Sequence, residues 1–161
     1  MGKAVLGETE RKLLSALQCD SERSVRELAK GLGLPLSTAH EKISRLKREG
    51  VITKCCAVLD AEKAGFPATG FVFVTLSGPQ PKAGPGAGAR RRLAAALSAL
   101  PEVQEAFFTS GESDMVLKVR AESVDSLGAF VSERLRALPG VGSARVEVVF
   151  RAVKEGTALP L

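Results

Sequence analysis

The chain has 161 residues, 45% of them hydrophobic, 4% aromatic and 25% charged, and its 23 Lys+Arg against 18 Asp+Glu give a formal net charge of +5. That length allows one domain or two small ones with a packed core, and the basic balance suits a polyanionic partner. No apolar run approaches the ~20 residues of a membrane span and no hydrophobic leader opens the sequence, so the expectation is a cytoplasmic protein with no membrane partner.

Gly7 to Gln18 reads as a first helix, with Leu13, Leu14 and Leu17 as its apolar stripe. Glu8 and Glu10 fall in its first turn, where the helix dipole favours acid. Asp20-Ser21-Glu22-Arg23 is a polar turn. Ser24 then caps a second helix, and Glu27 three residues later completes a capping-box pattern. In that helix Val25, Leu28, Ala29 and Leu32 recur at i, i+3, i+4, i+7. Gly31-Leu32-Gly33-Leu34-Pro35 forces a sharp change of direction, because Gly admits positive φ and Pro resists continuing a helix.

A third helix follows, with Ala39, Ile43 and Leu46 inward. Its start is placed near Pro35–Leu36; the alternative is a shorter helix capped by Ser37. Two short helices joined by a tight turn form a helix-turn-helix, in which one helix braces and the next enters a DNA groove. The exposed face of the third helix offers Ser37, Thr38, His40, Lys42 and Arg45, with Lys47 and Arg48 at its end. Ser37, Thr38 and His40 stand in the leading turns, which reach base edges in this motif. The basic residues are candidates for phosphate. Glu41 and Glu49 oppose that field, and any one of these side chains also fits an ordinary solvated helix face.

Gly50 reads as a helix C-cap. Val51 to Leu59 is β-rich, either the wing of a winged helix or a run toward a second domain, with Lys54 a candidate phosphate contact. Asp60 to Gly65 is a connector with some helical character. Cys19, Cys55 and Cys56 lack metal-ligand spacing, so no metal site is expected. They read as buried, inert thiols, with a redox switch as the functional alternative.

From Ala68 the period changes. Gly70 to Leu76 is a strand with Phe71 and Phe73 on one face and Val72, Val74 and Leu76 on the other, so it needs cover on both sides. Ser77 to Ala89 is a Gly/Pro-rich loop. Arg90-Arg91-Arg92 opens a helix with the stripe Leu93, Ala96, Leu97 and Leu100. The three arginines read best as a solvated cluster, with DNA phosphate or acids of a neighbouring subunit as alternatives. Strands follow at Val103–Thr109 and Asp114–Arg120, joined through Ser110-Gly111-Glu112-Ser113. A helix over 123–137, capped by Ser123, turns Leu127, Phe130, Val131 and Leu135 inward, and a last strand runs from Val141 to Phe150. Ala99-Leu100-Pro101-Glu102-Val103 and Ala137-Leu138-Pro139-Gly140-Val141 form a weak internal repeat.

The order β-α-β-β-α-β is the ferredoxin-like arrangement, with two helices on one face of a four-stranded antiparallel sheet. Its other face calls for a second copy of the same sheet, hence a two-fold homodimer suited to two DNA half-sites. The expected fold class is α+β. A winged helix-turn-helix DNA-binding domain is expected over residues 1–58, a connector over 59–68, and a ferredoxin-like βαββαβ dimerisation domain over 69–161, to which the resemblance described next adds effector binding.

The chain resembles the Lrp/AsnC, or feast/famine, family of transcriptional regulators over nearly its whole length. The resemblance rests on Leu28-Ala29, on Ser37-Thr38 and on the run from Ile43 to Ile52. Further along it rests on Ser110-Gly111-Glu112-Ser113-Asp114, on Leu138-Pro139-Gly140-Val141 and on the stretch from Val153 to Leu161. It implies double-stranded DNA as partner, dimers gathered into higher oligomers, and a small-molecule effector, commonly an amino acid, sensed at subunit interfaces. The residues matching the sensing region are Gly111 and Asp114. Backbone N–H groups near a glycine can hold a carboxylate, and an aspartate can hold an ammonium. Equally, a hairpin turn can need Gly111 for its backbone angles, and Asp114 can pair with a local donor. Ser113 stands where the family often has an aromatic residue.

Two rivals come from other classes. Siroheme decarboxylases resemble this family in both domains, but their chemistry wants acid–base side chains in the second domain. This chain has no Tyr, and its single His is His40. No catalytic residue, cofactor, nucleophile elbow or P-loop is expected. The other rival is an architectural DNA binder without an effector.

Overall fold

The computed structural model describes residues 6–78 and 85–161. The chain divides into two compact units, one made of the residues up to Val58 together with Lys154–Leu161, the other of Leu59–Val153.

In the first unit, α1 spans Glu8–Cys19, α2 Val25–Gly31 and α3 Leu36–Arg48. Gly7 has no side chain to cap α1, so only half of a capping box forms, with Glu10 Oε2 accepting the Gly7 N–H at 2.9 Å. At α2 the reciprocal box is complete. Ser24 Oγ accepts the Glu27 N–H at 3.2 Å, and Glu27 Oε2 accepts the Ser24 N–H at 2.8 Å. Gly33 takes φ +64° in the turn between α2 and α3, and Pro35 precedes the first residue of α3. Gly50 at φ +72° ends α3, with the Val51 N–H returning to Leu46 O at 2.9 Å. Leu13, Leu28 and Ile43 meet in a small core, flanked by Ala16, Leu17, Val25, Leu32, Leu34 and Ile52.

The β-rich reading of Val51 to Leu59 does not hold. No strand forms there, and residues 53–59 are exposed. β propensity is realised only where a pleated surface has a neighbour to pair with, and among the described residues none pairs with this stretch.

The second unit carries β1 Ala68–Leu76, α4 Pro85–Ser98, β2 Val103–Phe108, β3 Met115–Ala121, α5 Val124–Ala129 and β4 Val141–Val148. The sheet order is β2-β3-β1-β4, antiparallel throughout. α5, capped by Ser123 Oγ, continues into a wider π-helical stretch, Phe130–Leu135. There the Ser132 hydroxyl bonds back to Gly128 O at 2.9 Å, a local competition that loosens a helical ladder. The helices cover one face of the sheet, where Val72, Val74, Leu117 and Val119 pack with Leu97, Leu127 and Leu135. The opposite face is uncovered in the single chain. Phe71 is 39% and Phe107 53% exposed on it, and the Arg145 guanidinium lies 4.8 Å from the centre of the Phe73 ring.

α4 begins at Pro85, not at Arg90, because Pro is pre-shaped for the first helical position. The remainder of the expected loop, residues 79–84, lies outside the described residues. Within α4, Leu93 and Leu97 are buried, while Ala96 is exposed and Ala94 packs in its place.

Candidate nucleic-acid interface and effector site

α3 presents two different polar flanks. Ala39, Ile43 and Leu46 are buried, so the residues at helical spacing away from them face outward. Ser37, His40, Glu41, Ser44, Lys47 and Arg48 are exposed, whereas Thr38, Lys42 and Arg45 are half-buried. The difference has a definite cause in α1. Glu10 lies at i−3 and i−4 from Leu13 and Leu14, so it shares their inward face. Its carboxylate is only 3% exposed. Glu10 Oε1 accepts the Arg45 guanidinium and lies 3.5 Å from Lys42 Nζ, while Oε2 holds the Gly7 N–H. Arg45 Nε also sits 3.6 Å from Glu49 Oε1.

A buried carboxylate is tolerated only when paired and hydrogen-bonded. Glu10 meets that condition by drawing two cations of α3 toward α1. Of the eight candidate DNA contacts, the structure thus groups Ser37, His40, Lys47 and Arg48 on the open side of α3. Thr38, Lys42 and Arg45 go to the braced flank. Lys54 stands apart on the strand-free segment, exposed. Ser44 was missed by the sequence reading, although its spacing of four from His40 and Arg48 places it on the same face. Glu10 was missed too; its register with Leu13 and Leu14 was the available signal. Arg45, Lys47 and Arg48 also complement the negative end of the α3 dipole.

In the second unit, Asp114 is the better anchored of the two effector candidates. Asp114 Oδ2 accepts the Leu76 N–H at 2.8 Å, and Oδ1 lies 3.6 Å from Arg90 Nη2. Its backbone N–H donates to Val74 O at 2.9 Å and its carbonyl accepts the Thr109 N–H at 3.0 Å. Asp114 therefore joins the end of β1, the start of β3 and α4. Arg90 is not part of a solvated cluster: its guanidinium stacks 4.7 Å from the Phe108 ring centre and faces Asp114. Gly111 is exposed and is not among the positive-φ glycines, so the turn does not require glycine's left-handed freedom there.

The thiols differ from expectation. Cys19, Cys55 and Cys56 are all free and exposed rather than buried, because α1 ends at Cys19 and residues 53–59, which hold the other two, form no strand and are exposed. Among the described residues no group of three or more His, Cys, Asp or Glu side chains converges to hold a metal. No helix among them is long and apolar enough to cross a membrane.

Residues 6–53 match the winged helix-turn-helix DNA-binding model, and residues 69–159 match the Lrp/AsnC ligand binding domain model. The HTH-type transcriptional regulator FL11 of Pyrococcus horikoshii is 33% identical over 156 residues, covering 97% of each chain. FL11 of Pyrococcus furiosus is 31% identical over 159 residues, covering 99% of each. Among solved structures, an AsnC family transcriptional regulator from Agrobacterium tumefaciens superposes with a TM-score of 0.87 at 28% identity, covering 96% of this chain and 97% of that one. A Neisseria meningitidis transcriptional regulator in complex with L-Met gives a TM-score of 0.87 at 26% identity, covering 97% of each chain.

Proposed function

The chain belongs to the Lrp/AsnC family of transcriptional regulators, and from that premise we propose which residues read DNA and what the second unit senses. The observation that carries the DNA reading is the division of α3 into an open polar face and a braced flank. Ser37, His40 and Ser44 face the base edges, where hydroxyls and an imidazole suit mixed donor and acceptor patterns. Lys47 and Arg48 neutralise phosphates, and Lys54 reaches a further one from the segment after α3. Lys42 and Arg45 hold the pose of the helix through Glu10 and do not count among the phosphate contacts. Glu41 stays on the reading face as an acceptor, suited to a cytosine amine.

The second unit binds a small molecule, and its class is an amino acid. The Neisseria regulator solved with L-Met supports that class. The site includes the exposed backbone at Gly111 for a carboxylate, with Arg90 and Asp114 beside the ends of β1 and β3. The active species is a homodimer formed through the open sheet face, gathered further into an oligomer of dimers. The row of exposed aromatics on that face supports the pairing.

The test is binding of the purified protein to DNA upstream of its own gene, across a salt series, with competitor DNA and a panel of amino acids. Binding that survives competitor and shifts with one amino acid is the expected result. Binding abolished equally by any competitor, steep in salt and blind to every amino acid, replaces this reading with an architectural one.

A further inference from the structure

The DNA-binding unit is assembled from two separated stretches of chain, so the boundary with the second unit is crossed twice, after Val58 and after Val153. What holds the later stretch lies on α1. The side-chain amide of Gln18 pairs with the backbone of Leu159 in both directions: the Leu159 N–H donates to Gln18 Oε1 at 2.6 Å, and Gln18 Nε2 donates to Leu159 O at 3.1 Å. A neighbouring strand residue would offer the same two bonds. Two residues on, Leu161 lies in a shallow groove with Ser15, Ala16, Cys19, Arg23 and Leu32. Ahead of the contact, Phe150 and Val153 are 100% and 96% exposed.

We propose that this groove of α1 is a docking site for residues 154–161, and that docking converts a head hung on one linker into a head held at two points. The inference rests on the DNA-reading function above and adds an intramolecular contact to it. Leu159 and Leu161 remain 67% and 40% exposed, so the contact is shallow enough to be released. The helix that receives the segment is also the helix whose Glu10 holds Arg45 and Lys42 of α3. A second attachment narrows the orientations open to each head. In a dimer facing two half-sites, that raises the effective concentration of the second head once the first has bound. A single half-site gains nothing from it.

Two variants test this. Gln18→Ala removes the side-chain partner, and Leu159→Pro removes the backbone donor while leaving α1 untouched. The first readout is hydrogen exchange at the Leu159 amide, which reports docking without DNA. The second is affinity for DNA selected by the protein from a random pool, compared as two half-sites and as one. In the wild type the Leu159 amide is expected to be protected. Both variants are expected to lose about tenfold on paired half-sites, a small part of the gain available from linking two binding modules, with single-site affinity unchanged. A Leu159 amide exchanging freely in the wild type overturns the docking site. Protection with paired-site affinity unchanged in both variants overturns its role in DNA binding. If the wild type binds no DNA of either kind, the DNA reading fails and this role with it, while exchange still decides the docking.

Discussion

Arg45 and Arg48 lie three residues apart on α3 and carry the same charge, yet the structure places them in different surroundings. Arg48 is exposed, whereas Arg45 is committed to the buried carboxylate of Glu10. The expected outcome for Arg48→Ala is weaker binding to all sequences and a log–log salt dependence shallower by about 0.9, one phosphate's worth. Arg45→Ala should leave that slope unchanged and instead lower folding stability by about 1–3 kcal/mol, because Glu10 loses a partner it cannot replace from solvent. A salt titration and a urea unfolding curve on each variant separate the two. Glu27 supplies a pH test at the same scale. The Ser24 hydroxyl and then the Ser24 N–H hold its carboxyl below the usual range. A lowered folded value means its contribution is present above the unfolded value of about 4.3 and is lost as pH falls through the lowered one. Glu27→Gln should therefore melt below the wild type at pH 7, and the gap should close in acid.

At the scale of elements, the centre of the second unit depends on the absence of a side chain. A Cβ on Gly70 would lie 2.7 Å from Leu127 Cδ2 and 3.1 Å from Val146 Cγ2. Gly70→Ala should cost about 1–3 kcal/mol through overpacking of β1 against α5, visible as a lower urea midpoint with an unchanged slope. Elements whose apolar period faces a core within the same chain were readable in advance: α2 with its complete cap, α3 with Ala39, Ile43 and Leu46, and β1. Those that depend on something else were not. The stretch from Val51 to Leu59 has strand composition, but among the described residues no strand pairs with it. α4 starts five residues before Arg90, because Pro85 stands at a helix start inside a stretch whose Gly/Pro composition resembles a loop. In the π-helical stretch the Ser132 hydroxyl bonds back to two carbonyls, a widening that apolar periodicity does not encode. For the candidate site, the helical period identified the polar side of α3 but not which flank meets α1. That division rests on Glu10, whose charge suits the first turn of α1 while its register with Leu13 and Leu14 turns it inward.

At the scale of the whole molecule, the proposed homodimer rests on the open sheet face. Phe71→Asp places a charge on that face at a position already 39% exposed, so the fold should survive it. The expected outcome is a mass shift from dimer or larger toward monomer, measured by light scattering, with weaker binding to paired half-sites. An unchanged mass would move the interface elsewhere. The division of the chain carries a consequence in time. α1, α2 and α3 leave the ribosome early, but the stretch that seats on Gln18 is made only after the whole of residues 59–153. At about 5–20 residues per second, α1 waits on the order of ten seconds for it. During synthesis α1, α2 and α3 are therefore all made well before the residues that pair with Gln18.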